Sequence, residues 1–472
     1  MKKISRRKAL TQSALAAVSL ALGSRVVLGQ DRQLKLIIKN GRVFIDGILK
    51  QLNIGIDRDN TIRLLSGESA ADNTVDARGL VVAPGFIDIL GDNGSQQLQT
   101  YRTFEKYKLA DGVTTVLQLH GGAASPAQYH AGMDSRPHHV NYGVGVFVMM
   151  IRNQVTSLTG RLKKVEQGLE EGGLAVCHSI EYQPTPYEEL LAYARLAKKY
   201  KRPMFLHLRY SSKEKELDGV QEAIQLARES GAHIHIDHLH STGGTYQMEK
   251  ALEMIEKART SGLSITCCVY PYSYWATYLV SKRFDPGWQE RFNLTYEDLT
   301  IVGTGEIITA QTFPRYRQQP GLLVATPEGT MPLDKTVKLA LQRDFCLIGS
   351  DGGILKEARA NNHPRGAGCF ATAVRYGIDS GLGLETILTK ITRQPTELIN
   401  PALRNRGVIA NGAIADLVIF DQDLIRGGST VANPNQFSLG IKNVIVGGVT
   451  SYTSGNLNLS NAGTPISYYS PR

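Results

Sequence analysis

Three stretches of this chain decide its fold: Phe205-Leu-His-Leu-Arg209, His235-Ile-Asp-His-Leu-His240 and Gly349-Ser-Asp-Gly-Gly353. Each predicts a short apolar β-strand that ends in a side chain able to bind a metal or to carry a proton. In a (β/α)8 TIM-like barrel, the functional side chains lie at the carboxyl ends of the strands. A lone histidine at a strand end is more often structural than a metal ligand. The order of the three stretches and the helix-length segment between the first two therefore predict such a barrel.

The α/β barrel is expected to occupy residues 83–400, where apolar strand patterns alternate with helical patterns of roughly 15–20 residues. The candidate strands are Val81–Leu90, Thr114–Leu119, Val144–Met150, Leu174–Val176, Met204–His207, His233–His238, Ser264–Tyr270 and Cys346–Asp351. The alternation is interrupted at about residues 276–340, which contain Trp288, prolines and mixed polar residues. We expect this segment to be an insertion that lies over the barrel mouth.

The two ends of the chain show a different pattern, with short β-strands separated by turns. Residues 30–82 contain the tight-turn dipeptides Asn40-Gly41 and Asp46-Gly47, and residues 401–450 contain the apolar runs 415–421 and 441–447. We expect the two segments to pair in one small β-sandwich beside the barrel. Residues 451–472, which are rich in Ser, Asn and Gly, are expected to form an extended tail.

The first 29 residues resemble an export signal. Ser5-Arg6-Arg7-Lys8 precedes an apolar run from Leu10 to Gly23 that is too short to span a membrane. The pattern predicts a twin-arginine signal peptide, and therefore a periplasmic or extracellular protein. We expect no membrane span in the remainder of the chain.

The composition argues against nucleic acid as a partner. The net charge of +10 falls to +4 without residues 1–29, because that segment carries six basic residues and no acidic one. No basic run remains afterwards, so binding of nucleic acid is not expected. The five cysteines contain no CxxC pair and are expected to be buried thiols.

Further motifs resemble a known family. Ala83–Asp88, Arg406–Gly412 and Ala415–Asp421 resemble the framing motifs of the amidohydrolase superfamily. Similarity to the N-acyl-D-amino-acid deacylases (D-aminoacylases) lies in Gly112–Val116, His207–Arg209, Asp237–Leu239, Tyr270–Tyr272, Ser350–Gly352, His363–Arg365 and Asn433–Gln436. The resemblance runs from about residue 34 to residue 450. It implies a hydrolase that acts on carbon–nitrogen bonds other than peptide bonds, with a small N-acyl amino acid or similar amide as substrate.

The chain departs from this family at two metal-binding positions. The family has a His-x-His pair after the first barrel strand, whereas this chain has Leu90 and Asp92. Leucine cannot bind a metal, so that site is lost or rebuilt around Asp92. The deacylases also have a cysteine ligand near the end of the second strand, where this chain has His120.

Imidazole can replace thiolate as a zinc ligand, so the resemblance implies a three-histidine site made of His120, His207 and His238. Three protein ligands and one water are a known catalytic arrangement, and one Zn²⁺ is expected. The alternative is a chain that has lost its metal.

Other candidate residues follow from the same strand ends. Asp351 is expected to take a proton from the attacking water and return it to the leaving amine. Arg209 and Arg365 are candidates for a substrate carboxylate, and Arg365 remains open between that role and an ion pair with a structural acid. Tyr272 is a candidate for binding an oxyanion or for capping its strand. Glu181 remains open between metal ligand, acid or base, and structural anchor.

Two further hypotheses remain besides the metal-dependent amidohydrolase. One is a metal-free hydrolase that uses Asp92, Asp351 and Glu181 as carboxylates. The other is a binding protein without catalytic activity on the same barrel.

Overall fold

The computed structural model describes residues 33–91, 97–209, 213–354, 362–458 and 460–468, without the side chains of residues 97–102. The predicted signal peptide and Asp92 lie outside these ranges. The strands are β1 Leu34–Lys39, β2 Arg42–Ile45, β3 Ile48–Gln51, β4 Asn53–Ile56, β5 Ile62–Leu65, β6 Ala71–Asp76, β7 Val81–Pro84, β8 Phe86–Asp88, β9 Val113–Ala123, β10 Asn141–Phe147, β11 Val176–Ser179, β12 Met204–His207, β13 Ile234–Ile236, β14 Ile265–Val269, β15 Ala276–Tyr278, β16 Thr300–Ile301, β17 Leu323–Ala325, β18 Cys346–Ile348, β19 Leu417–Phe420, β20 Ile441–Val446, β21 Val449–Thr453, β22 Asn456–Leu457 and β23 Pro465–Ile466. The helices are α1 Gln97–Ala110, α2 Pro126–Asp134, α3 Val148–Gln154, α4 Leu158–Glu170, α5 Tyr187–Lys199, α6 Glu216–Ser230, α7 Leu239–Thr242, α8 Met248–Thr260, α9 Trp288–Phe292, α10 Phe313–Tyr316, α11 Val337–Leu341, α12 Arg365–Asp379, α13 Leu384–Ile391 and α14 Arg393–Leu398.

Eight parallel strands form the barrel, in the order β8, β9, β10, β11, β12, β13, β14 and β18. Each strand pairs with the next in sequence along the sheet, and helices occupy the connections. A bridge between Gly91 and Gly352 brings the first and last barrel strands together. The predicted barrel is therefore confirmed.

A buried polar cluster reinforces this closure. Asp88 accepts hydrogen bonds from the backbone N–H (3.0 Å) and the hydroxyl (2.5 Å) of Ser350. The ammonium of Lys108 lies 2.8 Å from Asp88 and 3.1 Å from the Ser350 hydroxyl. The side chains of Lys108 and Asp88 are both 0% exposed, so the pair is fully removed from water. The cluster fixes the residue immediately before Asp351.

The predicted pairing of the two chain ends is also observed. One sheet has the order β5-β4-β1-β6, and a second has the order β22-β21-β20-β19-β7-β2-β3. In the second sheet, Pro84 of β7 lies opposite Leu417 of β19 in an antiparallel pair. Apolar side chains of both sheets, among them Val43, Ile54 and Leu417, pack in one core.

Three predicted boundaries were wrong. The run Val81–Leu90 is not one barrel strand, because it leaves the sandwich sheet at Pro84 and enters the barrel at Phe86. Gly85 makes the crossing possible, since a Cβ there would lie 2.1 Å from the Thr114 hydroxyl. The run Val144–Met150 is a strand only to Phe147, and α3 begins at Val148.

The third wrong boundary concerns the tail. The predicted end of the sandwich at residue 450 falls inside β21, which pairs with β22. Farther on, Pro465 and Ile466 pair with Tyr142 and Gly143 at the start of β10. Backbone pairing thus orders a segment whose polar composition suggested an extended end.

The insertion forms a three-stranded sheet, β15-β17-β16, together with α9 and α10. Its core is aromatic, with Trp288 and Phe313 stacked at 5.7 Å. All five cysteines are buried as free thiols, as predicted. Among the described residues, no helix has the length and apolar character needed to cross a membrane.

Candidate metal centre

Three histidines from barrel strands β9, β12 and β13 meet at the barrel mouth. His120 lies near the end of β9, His207 is the last residue of β12, and His238 follows β13 by two residues. The ring centroids are 4.6–5.4 Å apart. One nitrogen from each ring lies within 4.8 Å of the others. The predicted ligand set therefore comes together as a cluster that can hold a metal ion.

Each ring of this cluster is held by a hydrogen bond. His120 Nδ1 lies 3.0 Å from Asp237 Oδ2, and His207 Nε2 lies 2.7 Å from Glu181 Oε2. His238 Nδ1 lies 3.0 Å from the Ser241 hydroxyl. Such contacts select which ring nitrogen remains for a metal.

Burial makes the rings suitable as ligands, because a metal binds the neutral form of imidazole. Desolvation lowers the pKa of His207, although its hydrogen bond to Glu181 acts in the opposite direction. Desolvation and the neighbouring histidines hold the pKa of His238 well below its usual value. Burial raises the pKa of Asp237, against the effect of its bond to His120.

An unpaired ring nitrogen is further evidence that the three histidines suit a metal ion. His207 Nδ1 is buried and has no hydrogen-bond partner within the described part of the chain. A buried polar nitrogen without a partner is costly, and a metal ion at the cluster would satisfy it. Tetrahedral zinc with bonds of about 2.1 Å holds its ligands about 3.4 Å apart, so the most distant pair would close by at most about 1.4 Å.

Asp351 stands beside the cluster. Its carboxylate oxygens lie 3.7 Å from His120 Nε2 and 3.8 Å from His238 Nε2. Both Asp351 and His238 adopt positive φ angles, of 47° and 28°. Such backbone conformations are unfavourable for these residues and cluster at functional sites. The prediction that Asp351 lies at the site agrees with this placement.

The cluster opens into a cavity of about 530 Å³. Its wall consists of residues from the barrel and from the insertion: His120, Tyr182, His207, His238, Ala276, Thr277, Tyr278, Val280, Ser281, Leu323, Asp351, Gly352, Gly353, Asn362, His363 and Arg365. Arg365 contacts Asp351 at 2.6 Å through Nη2 and lies 4.3 Å above the Tyr270 ring. The insertion therefore contributes one side of the cavity, as expected from its position in the sequence.

Leu90, after the first barrel strand, is a core residue and not a metal ligand. Its side chain is 0% exposed and packs in an apolar core with Ile87 and Leu117. A Cβ on Gly349 would lie 2.8 Å from Leu90 Cγ, so the eighth strand is in close contact with it. The position that carries a histidine in the resembling family is thus filled by packed hydrocarbon. Whether Asp92 compensates lies outside the described residues.

Two predicted substrate residues are placed elsewhere. Arg209 pairs with Glu222 at 3.2 Å and donates to the carbonyl of Thr185. Tyr272 is buried, and its hydroxyl lies 3.4 Å from that of Thr372. Neither belongs to the described cavity wall. Their assignment to substrate stays a prediction that this placement does not favour.

Two residues that contact the site were not predicted from the sequence: Asp237, beside His120, and Arg283, beside Glu181. Asp237 lies inside the quoted histidine-rich stretch 235–240, so its position at the strand end could have marked it as the hydrogen-bond partner of a ligating histidine such as His120. Arg283 comes from the insertion and contacts Glu181 at 3.2 Å. No motif marks Arg283, because its place depends on how the insertion folds back.

No family model matches the sequence. The N-acyl-D-glutamate deacylase of Alcaligenes xylosoxydans xylosoxydans is 25% identical over 472 residues, which cover 88% of this chain and 93% of the relative. The D-aminoacylase of the same organism is 25% identical over 462 residues, covering 86% and 92%. The crystal structure of N-acyl-D-glutamate deacylase from Bordetella bronchiseptica, complexed with zinc and a phosphonate inhibitor, has a TM-score of 0.78 at 23% identity and covers 92% of this chain and 100% of that chain.

The fold is thus the barrel and β-sandwich of the D-aminoacylases. The two curated relatives confirm the resemblance to N-acyl-D-amino-acid deacylases of the amidohydrolase type.

Proposed function

We propose that this protein is a metal-dependent amidohydrolase that removes the acyl group from an N-acyl amino acid or a similar small amide. The observation that carries the proposal is the convergence of three buried imidazoles and the Asp351 carboxylate in one cavity. Hydrolysis of carbon–nitrogen bonds other than peptide bonds is also the reaction class of the two deacylase relatives. A panel of N-acyl D- and L-amino acids would identify the acyl group, the amino acid and its chirality.

His120, His207 and His238 would hold the metal, which we propose to be a single Zn²⁺. Three imidazoles suit zinc, and one structural relative is complexed with zinc. When bound, zinc supplies a Lewis acid that activates water and polarises an amide carbonyl.

The chain's own groups then supply proton transfer and orientation. Asp351 is close enough to the cluster to accept a proton from water held there and to return it to the leaving amine. Arg365 fixes Asp351 through two contacts, from Nη2 to the carboxylate and from Nε to the backbone carbonyl at 2.7 Å. A guanidinium has five N–H donors, so Arg365 retains donors for a substrate carboxylate in the cavity.

We also propose that the protein is exported. The support is the twin-arginine pattern within residues 1–29. Twin-arginine export carries folded proteins, so the metal would be bound before the protein leaves the cytoplasm.

The experiment combines metal analysis with a substrate panel. Protein purified without chelator is analysed for zinc, and hydrolysis of N-acetyl and longer N-acyl derivatives of D- and L-amino acids is measured. His238→Ala should lose both zinc and activity. His233→Ala is the matched control, because His233 precedes the same strand at its opposite end and contacts Thr266 instead of the cluster. Activity without metal would favour the metal-free carboxylate hydrolase instead. Tight binding of N-acyl amino acids without turnover would favour the binding protein without catalytic activity.

A further inference from the structure

Glu181 occupies one ring nitrogen of His207. Glu181 follows β11 by two residues, and its Oε2 lies 2.7 Å from His207 Nε2. That contact occupies Nε2 and leaves Nδ1 as the nitrogen available to the other two histidines. Nδ1 is the buried atom that lacks a partner in the described structure. Rotation of the ring would exchange the two nitrogens and remove Nδ1 from the cluster.

Arg283 in turn holds Glu181. Its Nη2 lies 3.2 and 3.3 Å from the two carboxylate oxygens. The guanidinium also lies 5.4 Å above the Trp275 ring. Both members of the ion pair are less than one-fifth exposed, so solvent screens it less than a surface pair.

Arg283 belongs to the insertion, in a 3₁₀ turn of residues Lys282–Phe284. Its neighbours Val280 and Ser281 line the cavity. The contact Arg283–Glu181–His207 therefore runs from the segment over the mouth to one of the three candidate ligands.

We infer that Glu181 and Arg283 are positioning residues for the metal centre. Glu181 fixes His207 with Nδ1 towards the metal, and Arg283 fixes Glu181, so metal affinity depends on how the insertion is seated. The inference rests on the metal site of the proposed function and adds two residues that act through His207.

The test measures the zinc dissociation constant by competition with a chromogenic chelator, for the full chain and its variants. Glu181→Gln should weaken zinc binding about 10–100-fold, the usual effect of losing a carboxylate that orients a ligating histidine. Arg283→Met should weaken it by a smaller factor, below about 10-fold, because Arg283 acts through one more contact. Arg283→Lys should keep near-normal affinity, since a single nitrogen contacts both carboxylate oxygens.

The double variant Glu181→Gln with Arg283→Met tests whether Arg283 affects zinc binding through Glu181, here called a relay, or independently of it. A relay predicts that it binds zinc no more weakly than Glu181→Gln alone, because the two changes remove the same contact path. The absorption spectrum of the Co²⁺-loaded protein should change in Glu181→Gln, which a merely structural ion pair would not cause. The matched control is Arg209→Met, since the Arg209–Glu222 pair has the same 3.2 Å length and lies off the cavity wall. Its zinc affinity should equal that of the unmodified protein.

The outcomes separate the inference from the proposed function. If the unmodified protein binds no zinc or Co²⁺, the metal site of the proposed function is wrong and this inference with it. If the unmodified protein binds zinc tightly and Glu181→Gln binds it equally well, the inference alone is wrong. Equal losses in Arg283→Met and Arg209→Met, or additive losses in the double variant, also overturn it. Should Glu181→Gln fail to fold, Arg283→Met is compared with Arg283→Lys. Weaker zinc binding in Arg283→Met alone supports the inference, and equal binding by the two variants overturns it.

Discussion

Replacing Lys108 by methionine tests the buried cluster that closes the barrel. The change removes the ammonium from Asp88 and Ser350 while keeping most of the side-chain volume. The Asp88 carboxylate would then stay buried with three hydrogen bonds, from the N–H groups of Leu90 and Ser350 and from the Ser350 hydroxyl. Removing one partner of a buried ion pair costs about 3–5 kcal/mol. Because these three bonds remain, we expect a loss of about 3 kcal/mol, at the low end of that range.

The loss can be measured by urea unfolding followed by far-UV circular dichroism. Lys50→Met is the matched control, because Lys50 forms a 3.6 Å pair with Asp46 in which both side chains are well exposed. Its effect should stay within about 0.5 kcal/mol. Adding Asp88→Asn to Lys108→Met removes the unpaired charge and should recover at least about 1 kcal/mol. If Lys108→Met is no less stable than Lys50→Met, the ion pair does not stabilise the closure as argued.

Three further predictions concern the site and its pH dependence. Asp351→Asn should keep fold and zinc content while kcat/KM for deacylation falls about 10²–10⁴-fold, and near-normal activity would assign proton transfer elsewhere. Because Leu90 is buried in hydrocarbon, zinc titration should reveal at most one tight ion per chain and no gain in activity with a second, whereas two tight equivalents would contradict this. Burial raises the pKa of Asp111 to about 7, so folding favours its protonated form and the stability it contributes is lost as pH rises from about 4 to 7. Urea unfolding at several pH values should show the stability of the wild type falling relative to Asp111→Asn over that window, and a constant difference would refute the assignment.

The barrel and its centre were accessible from the sequence because strand ends are local features. An apolar run that stops at a histidine or aspartate places that side chain at the barrel mouth, whatever the rest of the chain does. His207, His238 and Asp351 were found in this way, whereas His120 was found through the resemblance to the deacylases, and the structure brings the four together. The pairing of the chain ends followed from their shared β pattern.

Other features depend on tertiary contacts that no local pattern encodes. The apolar run Val144–Met150 continues through a strand and into a helix, and hydrophobicity alone cannot divide it. Arg209 follows the strand that carries His207, yet its side chain pairs with Glu222 on α6. Arg283 reaches Glu181 across about 100 residues, so only the folded insertion reveals it.

The pairing of β7 with β19 has a consequence for the order of synthesis. Pro84 and its partner Leu417 are about 330 residues apart in the chain. At translation rates of about 5–20 residues per second, β7 waits roughly 20–70 s for its partner to be made. During that time one edge of β7 has no strand beside it, whereas β18, the last barrel strand, is made about 70 residues before β19. We therefore expect the barrel to assemble first on the ribosome and the sandwich to be completed last, with β7 a binding site for chaperones in the interval.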